Sequence, residues 1–242
     1  MSLDGKRIVI IGGASGIGYA VAEGAIREGA EVVVGSSRPP NVQAAVEKLG
    51  NKASGHPVDV KTEAEVEAFF GWAGAFDHLV FTAGDWGGFR APRALAETDL
   101  EAAADAYAVR YWGALKAVKH GAPRLREGGS VVLTNGMVAH RPRKGTPIST
   151  AMAGGIEHLV RALAVDLAPV RVNAVCPGAI RTGVWDTIPA ETREAQFRQM
   201  TGRLPIARIG EPHEVAEAYL YLMKAGYTTG QVLLVDGGGS VV

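Results

Sequence analysis

Three glycines, Gly12, Gly16 and Gly18, follow the apolar run RIVII (7 to 11) in the stretch GGASGIG. Small residues let a backbone come close to a pyrophosphate. A helix opening at about Ile17, just past Ser15, turns its free N–H groups and the positive end of its dipole toward the same place. A strand before the glycines and a helical pattern after them favour this reading over an ordinary tight turn. About twenty residues further on, a carboxylate would hold a ribose 2′-hydroxyl. The chain has Gly35, Ser36, Ser37 and Arg38 there instead. A guanidinium fork beside two hydroxyls suits a 2′-phosphate, and no acid repels it. NADP(H) is therefore expected in preference to NAD(H). The other reading of Arg38 is a solvated loop residue beside Pro39 and Pro40.

The elements that must position these residues alternate regularly. Seven apolar runs read as strands: RIVII, EVVVG (31 to 35), ASGHPV (53 to 58), DHLVF (77 to 81), SVVLT (130 to 134), RVNAV (171 to 175) and QVLLV (231 to 235). Between them, segments with apolar spacing near 3.6 predict helices, among them 99 to 121, 145 to 168 and one that opens with Pro212 in its first turn. Strand and helix in alternation predict a doubly wound α/β fold, a seven-stranded parallel sheet covered on both faces. One domain is expected over 1 to 242. The segment 179 to 210 is irregular and too polar for the core, and is read as a flap over the substrate.

Composition narrows the partners. The chain has 242 residues, and 25 Lys+Arg balance 25 Asp+Glu. No run of one sign offers the electrostatic grip that nucleic acid or an acidic membrane requires. Cys176 is the single cysteine, the start MSLDGKR lacks a signal-peptide pattern, and no apolar run is long enough to span a bilayer. A cytoplasmic protein without a metal is expected.

Further motifs carry a resemblance. Asp59-Val60, FTAG (81 to 84, with Thr82, Ala83 and Gly84), CPGAIRT (176 to 182, with Pro177, Gly178, Ile180 and Thr182) and TGQVLLVDGGGS (229 to 240) follow GGASGIG in order. Over essentially its full length the chain resembles the short-chain dehydrogenase/reductase family. The resemblance implies an NAD(P)(H)-binding fold, usually a homodimer or homotetramer, that reduces carbonyls or oxidises alcohols. It also implies that Asp59, Val60 and the residues named in FTAG and CPGAIRT contact the cofactor.

The same resemblance raises a chemical problem. Family members carry a Tyr-x-x-x-Lys pair on the helix after the fifth strand, a serine 13 residues before the tyrosine and an asparagine in the preceding long helix. Matching AGGIEHLVRALAVDLA (153 to 168) and VRYWG (109 to 113) places Ser149 at the tyrosine, Ala153 at the lysine, Gly136 at the serine and Arg110 at the asparagine. Ser149 beside Ala153 has neither the acidity nor the electrostatic help of the pair it replaces. Arg110 stays charged and donates no proton, but suits an anionic substrate.

Replacement candidates lie on loops at strand carboxyl ends. His140 is of the type that donates protons near neutral pH, though a solvated loop histidine is the simpler reading. Asp85 is either a second candidate or a turn residue beside Trp86. Tyr107 and Tyr111 face the cleft or the core, and Arg141, Arg143 and Lys144 either attract an anionic substrate or form a soluble loop. Three functions stay open: an atypical NADPH-dependent oxidoreductase acting on a small carbonyl, imine or activated alkene, a non-catalytic NADP(H)-binding protein, and a non-redox catalyst using the same pocket.

Overall fold

The computed structural model describes residues 2 to 84 and 93 to 242. Seven strands, β1 (Arg7–Ile11), β2 (Glu31–Ser36), β3 (Ala53–Pro57), β4 (Phe76–Phe81), β5 (Leu125–Thr134), β6 (Arg171–Pro177) and β7 (Val232–Val235), form one parallel sheet in the order β3-β2-β1-β4-β5-β6-β7. Period-two alternation explains their continuous apolar runs. In β1, Ile8 and Ile10 enter one core layer while Val9 and Ile11 enter the other, so both faces must be apolar.

Helices cover both faces. One layer packs α1 (Gly16–Arg27) against α8 (Pro212–Lys224), with Val21, Tyr219 and Leu220 buried between them and the sheet. Arg171 of β6 ties the end of α8 to the sheet by donating to the carbonyls of Leu222, Met223 and Ala225 at 2.7, 2.8 and 2.9 Å, where the helix runs out of its own donors. The opposite layer holds α3 (Glu63–Ala73), α5 (Ala114–Gly121) and α6 (Pro147–Asp166) around Phe69, Phe70 and Val160. The order changes direction at β1, which pairs with both β2 and β4. The connections after these strands diverge there and open a crevice at their carboxyl ends.

Two stretches depart from the sequence expectation. The helix expected over 99 to 121 begins as α4 (Leu100–Tyr107), capped by the Asp99 carboxylate, which accepts from the Glu101 and Ala102 amides. It then passes through a π-helical segment, Ala108–Gly113, before continuing as α5. Gly113 permits the close approach there, since a Cβ on it would lie 2.7 Å from Val60 Cγ2. The segment 179 to 210 is not irregular throughout. It holds a 3₁₀ turn, Gly183–Thr187, and the helix α7 (Ala190–Thr201). Phe197 alone of α7 is buried, edge-on to Trp185 at 5.1 Å and beneath the Arg181 guanidinium. One buried side chain in twelve residues leaves no apolar stripe to read.

His78 of β4 gives the sheet a pH dependence. Its Nδ1 lies 2.9 Å from Ser130 Oγ, and burial, with Arg171 and Lys6 adding against the pull of Asp77, pushes the imidazole pKa down to about 4. Between about 6.5 and 4 the unfolded chain binds a proton that the folded chain refuses. The sheet is therefore most stable above this window and loses about 3 kcal/mol as pH falls through it. Urea midpoints measured across this range should drop with acidity, and His78→Asn should flatten the drop.

Candidate active site

The glycine loop is wedged against the end of β4. Gly12 has φ +91°, its amide donates to Gly35 O at 2.7 Å, and the amides of Thr82 and Ala83 both donate to Ile11 O. An added Cβ on Gly12 would lie 2.4 Å from Ala83 N, and one on Gly18 2.3 Å from Gly12 O and Thr82 Oγ1. Gly16 stands beside Thr182, whose methyl would be 3.3 Å from an added Cβ, so the segment after β6 reaches the same loop. Ser15 caps α1 without a side-chain hydrogen bond, and the first turn has no acid, which leaves that helix end suited to an anion. Ile17 packs against the α1–α8 layer.

The remaining residues expected at the cofactor follow the carboxyl ends of β2, β3, β4 and β6. Ser36 ends β2, Ser37 is exposed, and exposed Arg38 occupies the cap of α2 (Pro39–Leu49). The Asp59 carboxylate accepts from the Lys61 amide at 2.9 Å, and Val60 is buried against Gly113. Pro177 ends β6, and Gly178 donates to Val235 O at 2.9 Å, close enough to Asp236 that a Cβ would meet its Cα at 2.7 Å. Ile180 is buried. Gly84 is exposed at the end of the β4 turn.

A second constellation lies beside the first. Arg110 from the π-helical segment, Gly136 after β5, and Ser149 and Ala153 on α6 all wall one small cavity of ≈ 20 Å³, with Thr134, Asn135 and Met152. Ser149 and Ala153 share a helix face by their spacing of four. The Arg110 guanidinium lies against Gly84, where a Cβ would come within 2.6 Å of Nη2. Ser149 Oγ has only a long hydrogen bond of 3.3 Å to Thr146 O. Gly136 has φ −156° and ψ 144°, an extended backbone open to any residue, and a Cβ there would meet nothing within 4 Å. Its missing side chain leaves space in the cavity wall.

The chain is 36% identical over 259 aligned positions to the short-chain dehydrogenase/reductase fsr5 of Gibberella fujikuroi, covering 98% of this chain and 95% of that protein. The chain belongs to the short-chain dehydrogenase/reductase family. The family model described as enoyl-(acyl carrier protein) reductase matches residues 12–240. Among solved short-chain dehydrogenase/reductase structures, the MalC reductase/Diels-Alderase from Malbranchea aurantiaca superimposes with a TM-score of 0.91 at 32% identity, covering 99% of this chain and 98% of that one. A small-chain dehydrogenase in complex with NADPH gives 0.81 at 32% identity, with 99% and 100% covered. NAD(P)-dependent oxidoreduction is the chemistry of this short-chain dehydrogenase/reductase family.

Within this short-chain dehydrogenase/reductase fold the loop candidates separate. His140 does not wall the cavity. Its Nε2 lies 2.7 Å from Glu157 Oε1, and the same oxygen accepts from Asn135 Nδ2 at 2.8 Å, so His140 reaches the cavity wall only through two other side chains. Asp85 and Trp86 lie outside the described residues. Tyr107 reaches Ile148 O at 3.4 Å, and burial, then neighbouring Tyr111, raises its phenol pKa. Arg141 donates to Gly239 O at 3.3 Å, while Arg143 and Lys144 are exposed. Cys176 is buried, and desolvation together with the charges of Glu157 and Asp236 pushes its thiol up to about 12. No helix among the described residues is long and apolar enough to cross a membrane, and no group of three or more metal-ligating side chains occurs among them. Asn135 and Glu157 were missed by the sequence reading. The available signals were a polar residue at the carboxyl end of a buried strand and a helix spacing of four from Ala153 to Glu157.

Proposed function

We propose that the protein is an NADP(H)-dependent oxidoreductase whose hydride acceptor, an activated alkene, an imine or a small carbonyl, needs no tyrosine acid. The observation that carries this reading is the wall of the cavity, which holds Arg110 and Ser149 but no tyrosine or lysine, and the resemblance aligns these two with the family's asparagine and tyrosine. The fit to the nucleotide rests on the glycine loop, which has no room for side chains at Gly12 and Gly18, and on the Ser15 cap of α1, whose side chain makes no cap hydrogen bond. Gly12, Ser15, Gly16, Ile17 and Gly18 would hold the pyrophosphate, with Ser36, Ser37 and Arg38 at the 2′-phosphate. Asp59, Val60, Thr82, Ala83 and Gly84 would line the adenosine side, and Pro177, Gly178, Ile180 and Thr182 the nicotinamide side. When bound, NADPH supplies the hydride. Arg110 stabilises negative charge that gathers on an oxygen of the substrate, a task that needs position and charge rather than proton transfer. An alkene conjugated to a carbonyl suits it best, because its enolate is held as an anion until water protonates carbon.

Oxidation of NADPH that depends on an added enone, imine or ketone tests this reading. Conversion of a substrate without any change in cofactor redox state would move it to a non-redox catalyst, which the similarity to a reductase/Diels-Alderase supports as the second reading. A homodimer or homotetramer belongs to the proposal, supported by exposed Leu100 and Trp112 on α4 and the π-helical segment. So does an anionic substrate, supported by Arg110 and the exposed cations after β5.

Cofactor choice gives a separate expected result. NADPH should bind more tightly than NADH, and Arg38→Ala should reduce that preference by roughly 10- to 100-fold, the worth of one charge-assisted contact to phosphate. Calorimetry with both nucleotides at fixed salt checks it, and equal affinities in the parent protein would remove the assignment.

A further inference from the structure

The Asn135 side chain, 2% exposed at the end of β5, walls the cavity beside Gly136. Its Nδ2 donates to Glu157 Oε1 at 2.8 Å, and His140 Nε2 lies 2.7 Å from that oxygen. An ionised carboxylate only accepts, so it binds the NH₂ end of the amide and the protonated nitrogen of the imidazole. The orientation of the amide is thereby fixed, and the atom left over is Oδ1, which is buried and has no hydrogen-bond partner. A buried amide oxygen in that condition is costly to the free protein, and a ligand that brings a donor removes the cost.

We propose that Asn135 is a specificity-determining residue. Its Oδ1 accepts a hydrogen bond from an N–H or O–H group on the part of the substrate that enters the cavity, and Glu157 and His140 hold it in the accepting orientation. The inference rests on the cavity being the substrate site. Arg110, which walls the same cavity, carries donors only, so the site pairs an acceptor with a cation and favours compounds that carry a donor next to an electron-rich oxygen. Selection of this kind is steep, because a ligand lacking the donor buries Oδ1 unpaired.

Binding of matched probes to the NADPH-saturated protein tests it, followed by calorimetry or ligand-detected NMR. The pairs are phenol with anisole and 2-pyrrolidinone with 1-methyl-2-pyrrolidinone, which differ by methylation of the donor. The unmethylated member should bind roughly tenfold tighter or better, and the pair that shows the larger ratio identifies hydroxyl or amide as the preferred donor. Asn135→Leu should bring both ratios to about one. Glu157→Leu is the second variant. Without the shared oxygen the Asn135 amide has no fixed orientation, so both ratios should fall toward one, whereas Glu157→Gln, whose oxygen can hold both Asn135 Nδ2 and His140 Nε2, should keep them, a rescue that packing alone does not explain. Ratios near one in the parent, ratios unchanged in both leucine variants, or no saturation by any of the four at millimolar concentration would overturn the proposal. The readout is binding, so it separates from redox activity. A persistent ratio without NADPH oxidation by any acceptor removes the reductase reading and leaves Asn135 in its role, and the reverse result removes only Asn135.

Discussion

Arg110→Met is expected to lower kcat/KM toward an activated alkene by about 10²- to 10³-fold while leaving NADPH affinity within a few-fold. Methionine keeps much of the stem and removes the charge, so packing in the π-helical segment is largely retained while the stabiliser of developing negative charge is lost. Arg110→Lys should recover part of the loss, because a point charge replaces the planar fork at a similar reach. Ser149→Ala is the contrast. Its hydroxyl has one long bond to Thr146 O and no lysine to lower its pKa, so its removal should change the rate only a few-fold. A third variant reaches the same group from the other side: a Cβ on Gly84 would intrude to 2.6 Å from Arg110 Nη2, so Gly84→Ala should displace the guanidinium and mimic Arg110→Met in part. Steady-state kinetics with an enone, alongside melting curves that confirm folding, decide the matter. An Arg110→Met protein as fast as the parent would remove arginine from the chemistry.

The second large effect is structural. Gly12→Ala should cost about 3 kcal/mol, which combines one to two for a left-handed backbone with one to three for overpacking. For a chain of this length the melting temperature should fall by roughly 6 to 12 °C. The backbone conformation, at φ +91°, and the collision with Ala83 N at 2.4 Å act together here. Nucleotide binding should fall below detection, since relief of the clash pushes the loop away from β4. Gly136→Ala offers the opposite case within the same protein. Its backbone is extended and open space surrounds it, so its stability should stay within about 0.5 kcal/mol of the parent. Thermal unfolding with and without NADPH measures both, and equal behaviour of the two variants would refute the wedge.

The sheet was legible because burial on two faces forces every strand into an unbroken apolar run, and β1 shows the rule residue by residue. Strand β5 was read only from Ser130, since its earlier residues LREGG are polar and their pairing is decided by β4 rather than by composition. The π-helical segment was invisible for a related reason. A single extra residue per turn barely disturbs a 3.6 periodicity, and the segment packs Gly113 against Val60, fifty-three positions away in sequence. In the site, the resemblance to the family singled out Arg110, Gly136, Ser149 and Ala153, and all four line one cavity. The link from His140 through Glu157 to Asn135 depends on how α6 lies on β5, which no local pattern encodes. His140, by sequence a candidate donor or more simply a solvated loop histidine, is an outer partner of the cavity wall.

Cys176 makes this protein its own clock. The thiolate is the form that reacts with alkylating reagents, and in the folded sheet the only sulfhydryl of the chain is both enclosed by β6 and held in its neutral state, with its pKa near 12. Labelling at neutral pH must therefore wait until β6 leaves its neighbours, and the pace of modification in native buffer counts those departures one molecule at a time. Anything that clasps the folded form slows the count by the same factor as it deepens stability, so a mass spectrum taken after a timed pulse ranks candidate ligands without a chromophore, a turnover or a prior guess at the reaction.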